Sequence, residues 1–422
     1  MAQLSDDCFA SGSPRMTAAE ALAALDRNIV PVVGVETVSL DAALGRILAE
    51  DVTSAIDVPR HDNAAVDGYA VYFDDLDPDA PTHLPIGGRA AAGHPLDRPA
   101  NPGEAIRIFT GAPMPAGPDT VMMQEDCQQS GETVTIAPGI KRGSNRRLAG
   151  EDIRAGKTVL HRGTRLQPQA VGLAASVGRT TLEVHCRLHA AIFSTGDEVC
   201  DPGTPLPEGA IYDSNRYTVT AALRQLGCDI TDLGILPDRD AEIADALSRA
   251  AQTHDVLLTT GGMSVGEEDH VRAVVERLGR LHFWMLAIKP GRPVALGQID
   301  AKSGPTPIIG LPGNPVAVMV TFLVIARPLL LRLAGAEDFA PHHYRVRADF
   351  DYRKKKDRRE YVRARLRPGT DGFAVADKHG ASGAGVLSSL VGADGLVELP
   401  EDLTHLERGS LVDFLPFNEV SR

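Results

Sequence analysis

Three short segments combine glycine with hydroxyl and carboxylate side chains, and each follows an apolar stretch typical of a buried strand. Paired glycines let a phosphate approach backbone N–H groups, and carboxylates are hard oxygen ligands suited to a magnesium ion shared with phosphate oxygens. The residues in question are Ser194, Thr195, Gly196 and Glu198 in the first segment, Gly261, Gly262, Ser264 and Asp269 in the second, and Pro312, Gly313, Asn314 and Pro315 in the third.

The alternation of apolar stretches with helical patterns predicts that parallel strands joined by helices position these segments. In an open sheet of that kind, loops at the carboxyl ends of the strands meet at one edge, which favours anions. One such loop is often only a turn, but three at one edge predict a phosphate-binding site. Lys289 and Arg292 flank the turn Pro290-Gly291 and add cations for an oxyanion. The alternative to an oxyanion site is that Lys289 and Arg292 each form an ion pair at the surface.

Other polar turns lie earlier in the chain. Asp67 precedes Gly68, Thr110 precedes Gly111, and a basic run ending at Arg147 is followed by Asp152. Taken alone, each is more typical of a surface turn than of a site.

The composition is that of a globular chain with a surplus of acid. Its 422 residues include 43 Lys and Arg against 56 Asp and Glu, a net charge of −13, and 43% are hydrophobic. An acidic surface does not neutralise a nucleic-acid backbone, which argues against non-specific nucleic-acid binding. The chain contains no Walker A loop, Rossmann fingerprint, H-E-x-x-H motif or nucleophile elbow.

Localisation is predicted from cysteine use and apolar stretches. The five cysteines are scattered and form no C-x-x-C pair, which argues against zinc and disulfide frameworks. The first residues are acidic where a signal peptide is basic. The longest apolar stretch, 316–326, ends at Arg327-Pro328, short of the ~20 residues of a membrane span. We therefore expect a cytoplasmic protein without a membrane segment.

The predicted elements divide the chain into segments of different character. A helix begins after Thr17, with Glu20 completing a capping box. Short strands between Gly and Pro turns occupy 59–149, strand–helix alternation occupies 186–335, and β patterning returns from 340.

One segment reverses the charge of the chain. Residues 345–367 contain 11 Lys and Arg and 4 Asp and Glu, a local charge of +7. Strand periodicity places Tyr361, Arg363 and Arg365 on one face, which could bind an anion. The alternative is a solvated hairpin edge, which is the preferred interpretation for 354–356.

Several segments also occur, in the same order, in one known family. From about residue 15 to about 415 the chain resembles the molybdopterin molybdenumtransferases, relatives of the gephyrin E-domain, at DNAAVDGYAV, RIFTGAPMPAG, FSTGDEV, IYDSNRY, TTGGMSVGEEDH, FWMLAIKPGRPVALG and GLPGNPVAV. The resemblance implies a magnesium-dependent enzyme that inserts molybdate into adenylylated molybdopterin and releases AMP. It further implies a homodimer whose active site lies between the α/β domain of one subunit and parts of the other. The adenylyltransferase of the same pathway and molybdoenzyme apoproteins are its implied partners.

The fold implied by the resemblance is multidomain, α/β plus β. It comprises an elongated mixed α+β domain from two segments (15–58 and 150–185), an inserted β domain (59–149), a three-layer α/β domain with a parallel-rich sheet (186–335) and a C-terminal β-barrel-like domain (340–422).

The resemblance also assigns roles residue by residue. It assigns magnesium binding to Glu198 and Asp269. The catalytic positions that it implies are Asp67, Thr110, Arg147, Asp152 and Asp238. Substrate binding is assigned to the strand-end residues above and to Asp213, Lys289, Arg292, Arg359, Arg363 and Ser382. Two positions depart from the family: Arg292 stands where many members have lysine, and Met285 where some have lysine.

Two other functions are compatible with parts of the sequence. The α/β segment alone also resembles molybdopterin adenylyltransferases, which make adenylylated molybdopterin from ATP, but the insertion at 59–149 and the C-terminal β segment argue against that activity. A scaffold role follows from gephyrin, which clusters receptors through this domain. The retained carboxylates and glycine-rich loops argue against a purely structural protein.

Overall fold

The computed structural model describes residues 16–262, 270–291, 293–370, 372–381 and 383–418. Four residues assigned to the site, Ser264, Asp269, Arg292 and Ser382, lie outside the described residues. Two compact units are present. One consists of Asp51–His161 and Pro168–Thr181, and the other contains the rest of the described chain.

The smaller unit is built on a six-stranded sheet that is covered on both faces. Successive residues of a strand point to opposite sides, and Tyr69 and Ala70 accordingly belong to two different apolar clusters. A Cβ at Gly68 would lie 1.7 Å from the carbonyl oxygen of Met122, so the close strand pairing next to Asp67 requires glycine. In spatial order the strands are Thr120–Met123, Gly68–Val71, Ala105–Ile108, Thr82–Ala90, Thr133–Ile136 and Cys127–Ser130. The unit also contains two short strand pairs and one helix. The pairs are Val52–Thr53 with Thr158–Leu160 and Asn63–Ala64 with Arg146–Arg147, and the helix is Pro168–Ser176.

The larger unit contains a mixed six-stranded α/β sheet. Its first four strands are parallel and the last two antiparallel. The strand Val256–Thr260 is buried throughout, which is why its sequence is continuously apolar rather than alternating. In spatial order the strands are Asp229–Leu236, His189–Thr195, Val256–Thr260, Thr306–Leu311, Pro293–Ile299 and Gly279–Met285. A short parallel pair, Val199–Cys200 with Ile211–Tyr212, follows the second of them.

Helices cover both faces of this sheet and make three layers. Ile192 packs in a cluster with residues of Asn215–Leu226 and Pro315–Leu333, whereas Phe193 packs with Asp240–Ala251 and His270–Leu278. The predicted multidomain α/β plus β fold with a three-layer, parallel-rich domain is therefore confirmed. The separate domain boundaries given above stay a prediction.

The apolar stretch predicted to end at Arg327-Pro328 forms a longer helix than expected. Pro315–Leu333 is helical over 19 residues, because Pro328 falls in the first turn after a π-helical segment, Phe322–Ala326, where a missing N–H is tolerated. Its length and composition would allow it to cross a membrane, but 89% of its apolar window is buried inside the protein, as in a core helix.

The N-terminal helix Ala18–Asn28 packs on the same core. Its predicted capping box is present, since Thr17 N–H donates to Glu20 Oε2 (2.8 Å) and Glu20 N–H to Thr17 Oγ1 (3.1 Å). The strands Val35–Ser39 and Thr181–His185 form a two-stranded sheet.

The C-terminal region is a closed five-stranded barrel. Strand Arg359–Pro368 pairs on one side with Ala374–Lys378 and on the other with Gly395–Leu399, which closes the ring. The other strands of the barrel are Tyr344–Ala348 and Leu411–Pro416. The short strand Ile288–Lys289 of the α/β region pairs with Arg359–Pro368. Outside the barrel sheet, Tyr352–Arg353 pairs with His405–Leu406, and Ser388–Val391 is a short helix. The interpretation of 354–356 as a solvated hairpin edge is wrong for Lys354, which is buried because its ammonium donates to the carbonyls of Glu401 (3.3 Å) and Leu403 (2.7 Å).

Candidate functional site

The three glycine-rich segments do meet at one edge of the α/β sheet. In the parallel register Ser194 lies opposite Thr260, and Thr260 opposite Leu311. The hydroxyls of Ser194 and Thr260, both buried, are 2.9 Å apart, and Gly261 N–H donates to the carbonyl of Leu311 at 3.2 Å. The carboxyl ends of these strands therefore form one surface, as the sequence predicted.

A cavity of about 590 Å³, here called the strand-end cavity, opens at this edge. Its lining includes ten of the predicted site residues: Ser194, Thr195, Gly196, Glu198, Asp213, Asp238, Gly261, Gly262, Gly313 and Pro315. Asn314 is the N-cap of the helix that begins at Pro315, as the Asn-Pro pair predicted.

Two glycines are required by the geometry of the strand-end cavity. Gly262 has φ +65°, and a Cβ there would lie 2.4 Å from Thr195 Oγ1. Gly196 has φ +128°, and a Cβ there would lie 2.5 Å from Glu198 Oε2. Side chains at these positions would displace a hydroxyl and a carboxylate that line the cavity.

Acidic side chains crowd one end of the strand-end cavity. Burial raises the pKa of Asp238, and the negative charges of Asp197 and Glu198 raise it further, against a lowering by His270. No set of three or more ligating side chains occurs in the described part of the chain. Glu198 and Asp238 line the same cavity, and carboxylates are ligands that magnesium takes together with water and phosphate oxygens.

Asp213 lines the strand-end cavity and is paired with an arginine. Its carboxylate accepts from the backbone N–H (3.1 Å) and Nε (3.0 Å) of Arg216, whose guanidinium also binds Asp201 and Asp232. Asp213 and Arg216 are both 4% exposed. The pairing with Arg216 fixes the carboxylate of Asp213 in the loop that lines the cavity, and its role in substrate binding stays a prediction.

A second cavity of about 680 Å³, here called the barrel-side cavity, adjoins the first. The two share Glu198, Gly261, Gly262 and Gly313. One wall comes from the α/β sheet and contains Lys289, Pro312 and Asn314; the other comes from the barrel and contains Tyr352, Arg358, Glu360, Arg363 and Lys378.

Glu360 organises the cations of the barrel-side cavity. Its carboxylate, 2% exposed, accepts from Lys289 Nζ (3.2 Å), the Tyr352 hydroxyl (3.0 Å) and Arg358 Nε (2.8 Å). Burial raises the pKa of Glu360, but these hydrogen bonds outweigh it, so the pKa lies below its ordinary value and the group is ionised. Lys289 is thereby fixed between the two walls.

The structure distinguishes the two arginines proposed from the sequence. Arg359 is bound by Glu398 (2.5 Å) and Glu401 (3.0 Å) and does not line either cavity. Arg363 is 8% exposed and lines the barrel-side cavity, where one Nη donates to the carbonyl of Ala381 (2.8 Å). Its Nε is buried without a hydrogen-bond partner. Arg363 is therefore the better candidate for binding an anion.

The remaining predicted residues lie in the smaller unit. Asp67 Oδ1 accepts from the backbone N–H (2.8 Å) and the hydroxyl (2.7 Å) of Thr110, and these bonds lower the pKa of Asp67. Arg147 lies in the strand that pairs with Asn63–Ala64, and both Arg147 and Asp152 are exposed. The unit thus brings Asp67 and Thr110 together and presents the other two to solvent.

Sequence reasoning missed Tyr352, Arg358, Glu360 and Lys378. The basic charge of 345–367 could have indicated the first three, which lie in that segment. Their meeting in one cavity depends on how the barrel strands pair, which the sequence does not show. Lys378 lies outside that segment and carried no signal.

Family models and curated proteins match almost the entire chain. Consecutive models describe a MoeA N-terminal region (domain I and II) over 16–178, a probable molybdopterin binding domain over 191–332 and a MoeA C-terminal region (domain IV) over 345–417. The molybdopterin molybdenumtransferase of Haemophilus influenzae is 37% identical over 91% of this chain and 94% of that protein. The molybdopterin molybdenumtransferase of a Nostoc species is 35% identical over 90% and 89%.

A solved structure agrees. The crystal structure of a molybdopterin biosynthesis moeA protein from Pyrococcus horikoshii has a TM-score of 0.80 and 27% identity, and the match covers 96% of this chain and 100% of that one. The fold and the strand-end site define a multidomain protein built around a molybdopterin-binding domain. The chain belongs to the molybdopterin molybdenumtransferase family, the transferases of molybdenum cofactor synthesis.

Proposed function

We propose that this chain catalyses the magnesium-dependent insertion of molybdate into adenylylated molybdopterin with release of AMP. The observation that carries the proposal is the adjoining pair of cavities, one crowded with carboxylates and glycine-rich backbone and the other lined with cations, joined at Glu198 and three glycines. A pterin nucleotide and a small oxyanion are the substrates that such a pair fits.

The strand-end cavity supplies what a nucleotide diphosphate needs. Backbone N–H groups of the loops at Gly196 and Gly262 and the hydroxyl of Thr195 offer donors at the ends of parallel strands. Glu198 and Asp238, with Asp269 by family resemblance, would hold magnesium. When bound there, magnesium would neutralise phosphate charge and polarise the phosphoanhydride.

The barrel-side cavity supplies what molybdate needs. Lys289 and Arg363 present an ammonium and a guanidinium to one space, and four Lys and Arg against two Glu line it in the described chain. This local surplus overcomes the overall net charge of −13, which would otherwise repel two anionic substrates. Catalysis would depend on positioning the oxyanion near the pterin dithiolene and on charge stabilisation, without a covalent enzyme intermediate.

The proposal extends to assembly and partners. We infer a cytoplasmic homodimer in which Asp67, Thr110, Arg147 and Asp152 serve a site completed by a second subunit, as the family resemblance implies. The adenylyltransferase that makes the substrate and the apoproteins that receive the cofactor are the expected partners.

The test supplies adenylylated molybdopterin, molybdate and magnesium to the purified chain and measures AMP and active cofactor. Release of one AMP per cofactor, dependent on molybdate, is expected. A chain that instead converts ATP and molybdopterin to the adenylylated form without molybdate would be an adenylyltransferase. A chain with neither activity would be left with a scaffold role.

A further inference from the structure

The barrel wall carries a lysine to which neither the strand-end loops nor the family resemblance assigns a role. Lys378 is the last residue of the strand Ala374–Lys378 and lines the barrel-side cavity. The cavity also contains Arg363, from the neighbouring strand.

Strand pairing places Lys378 next to Arg363. Lys378 lies opposite Ala364 in the antiparallel register, and the N–H of His379 donates to the carbonyl of Arg363 at 2.8 Å. The backbones of the two residues are therefore neighbours on paired strands, although alternation places the side chain of Lys378 on the face of Ala364 and not on that of Arg363. Both residues nevertheless line the barrel-side cavity.

An aromatic ring positions Lys378. Its ammonium lies 5.5 Å from the centroid of the Tyr352 ring, within the range of a cation–π contact. The Tyr352 hydroxyl donates to Glu360, and burial raises the pKa of Tyr352 to about 12, so the phenol keeps its proton. Glu360 thus holds Lys289 directly and Lys378 through the ring of Tyr352.

The cations of the cavity differ in how they are neutralised. Lys289 and Arg358 share the carboxylate of Glu360. Among the residues that the structure describes, Lys378 pairs with no carboxylate, and Arg363 leaves its Nε without a partner. Lys378 and Arg363 therefore keep unused capacity for an anion.

We propose that Lys378 is a further binding residue for the tetrahedral oxyanion and that Tyr352 is its positioning residue. The inference rests on the proposed function in taking molybdate as the ligand. It adds a second cation from the barrel to the one that Arg363 supplies.

The experiment titrates the full chain with molybdate alone by calorimetry, without pterin or magnesium. Lys378→Met keeps the length of the exposed side chain and removes its charge, and we expect molybdate to bind roughly tenfold more weakly, the size of one charge-assisted hydrogen bond. Lys378→Arg should stay within about threefold of the native affinity. Lys302→Met removes an exposed lysine away from both cavities and should leave the affinity unchanged.

The role of Tyr352 is tested by combining variants. Tyr352→Phe keeps the ring but loses the anchor to Glu360, and we expect binding to weaken about threefold. In the Lys378→Met background the same change should have no further effect, because the lysine that it positions is gone. A merely structural role would weaken molybdate binding equally in both backgrounds.

Native affinity in Lys378→Met would overturn the inference, as would a native chain that binds no molybdate by itself. The proposed function fails separately: a chain whose molybdate binding depends on Lys378 but which releases no AMP from adenylylated molybdopterin supports the oxyanion site and contradicts the transferase reaction.

Discussion

The ammonium of Lys289 lies 3.2 Å from the buried carboxylate of Glu360, although 71 residues separate them in the chain. The two residues are also opposite each other where Ile288–Lys289 pairs with the barrel strand. This contact joins the α/β wall and the barrel wall of one cavity. Glu360 therefore links the two walls of the cavity in which we propose that the oxyanion binds.

Replacing Glu360 tests its contribution to the stability of the fold. Glu360→Gln leaves the Lys289 and Arg358 cations without their shared carboxylate, and we expect the free energy of unfolding at pH 7 to fall by about 2 kcal/mol. Urea unfolding measures the change. Glu276→Gln is the matched control, because Glu276 is half exposed and pairs along its helix with Arg272, so that the loss should stay below about 0.5 kcal/mol. Equal losses in the two variants would contradict the role given to Glu360.

The loop at Asp213 is predicted to depend on Arg216. Arg216→Met leaves a carboxylate that is 3% exposed without its partner, and we expect a loss of about 3 kcal/mol in the free energy of unfolding. Arg249→Met removes an exposed arginine paired with Asp245 and should cost less than about 0.5 kcal/mol. If Arg216→Met were as mild as this control, the buried cluster would not hold the loop.

A pH dependence of stability should trace to His343. The hydrogen bond to Glu398 (3.0 Å) raises the pKa of His343, so the protonated ring favours the folded state. This contribution is fully present below the ordinary histidine pKa of about 6.5 and is lost as pH rises through the higher folded pKa. Thermal unfolding between pH 5.5 and 8.5 should show that His343→Gln removes stability at low pH and little at high pH. His161→Gln, which replaces an exposed side chain, is the control and should change the free energy of unfolding by less than about 0.5 kcal/mol.

The proposed homodimer makes a prediction about mixed subunits. Asp67→Asn and Asp238→Asn chains should each be inactive. If the two residues serve one site from different subunits, randomly mixed dimers should recover about a quarter of the native activity, because half the dimers are mixed and half of their sites are intact. Unfolding and refolding the two variants together, followed by the AMP assay, measures the recovery. Activity no higher than that of the separate variants would contradict a shared site.

Local features of the site were predictable from the sequence because they depend on neighbours in the chain. Asn314-Pro315 begins a helix, and the glycine-rich loops follow their strands, as spacing predicted. The pairing of Asp213 with Arg216 is also local, three residues apart at a helix start, and its spacing was a signal that could have been used.

The barrel wall was not predictable because it depends on pairing between distant strands. Arg359 and Arg363 look alike in the sequence, and only the carboxylates of Glu398 and Glu401 decide that Arg359 is occupied. Lys354 looked solvated within a basic run, yet backbone carbonyls about fifty residues away bury it. Patterning identifies strands, but register and closure of the ring decide which charges face the cavity.

We propose that the strand ends and the barrel wall together form one substrate site. Hydrogen exchange of the native chain, with and without adenylylated molybdopterin and magnesium, tests it most directly. We predict slower exchange on binding at 194–198, 211–215, 260–262 and 311–315, with molybdate adding protection at 358–363 and 378–384. Unchanged exchange in these segments, with protection confined to other parts of the chain, would show that the substrates bind elsewhere.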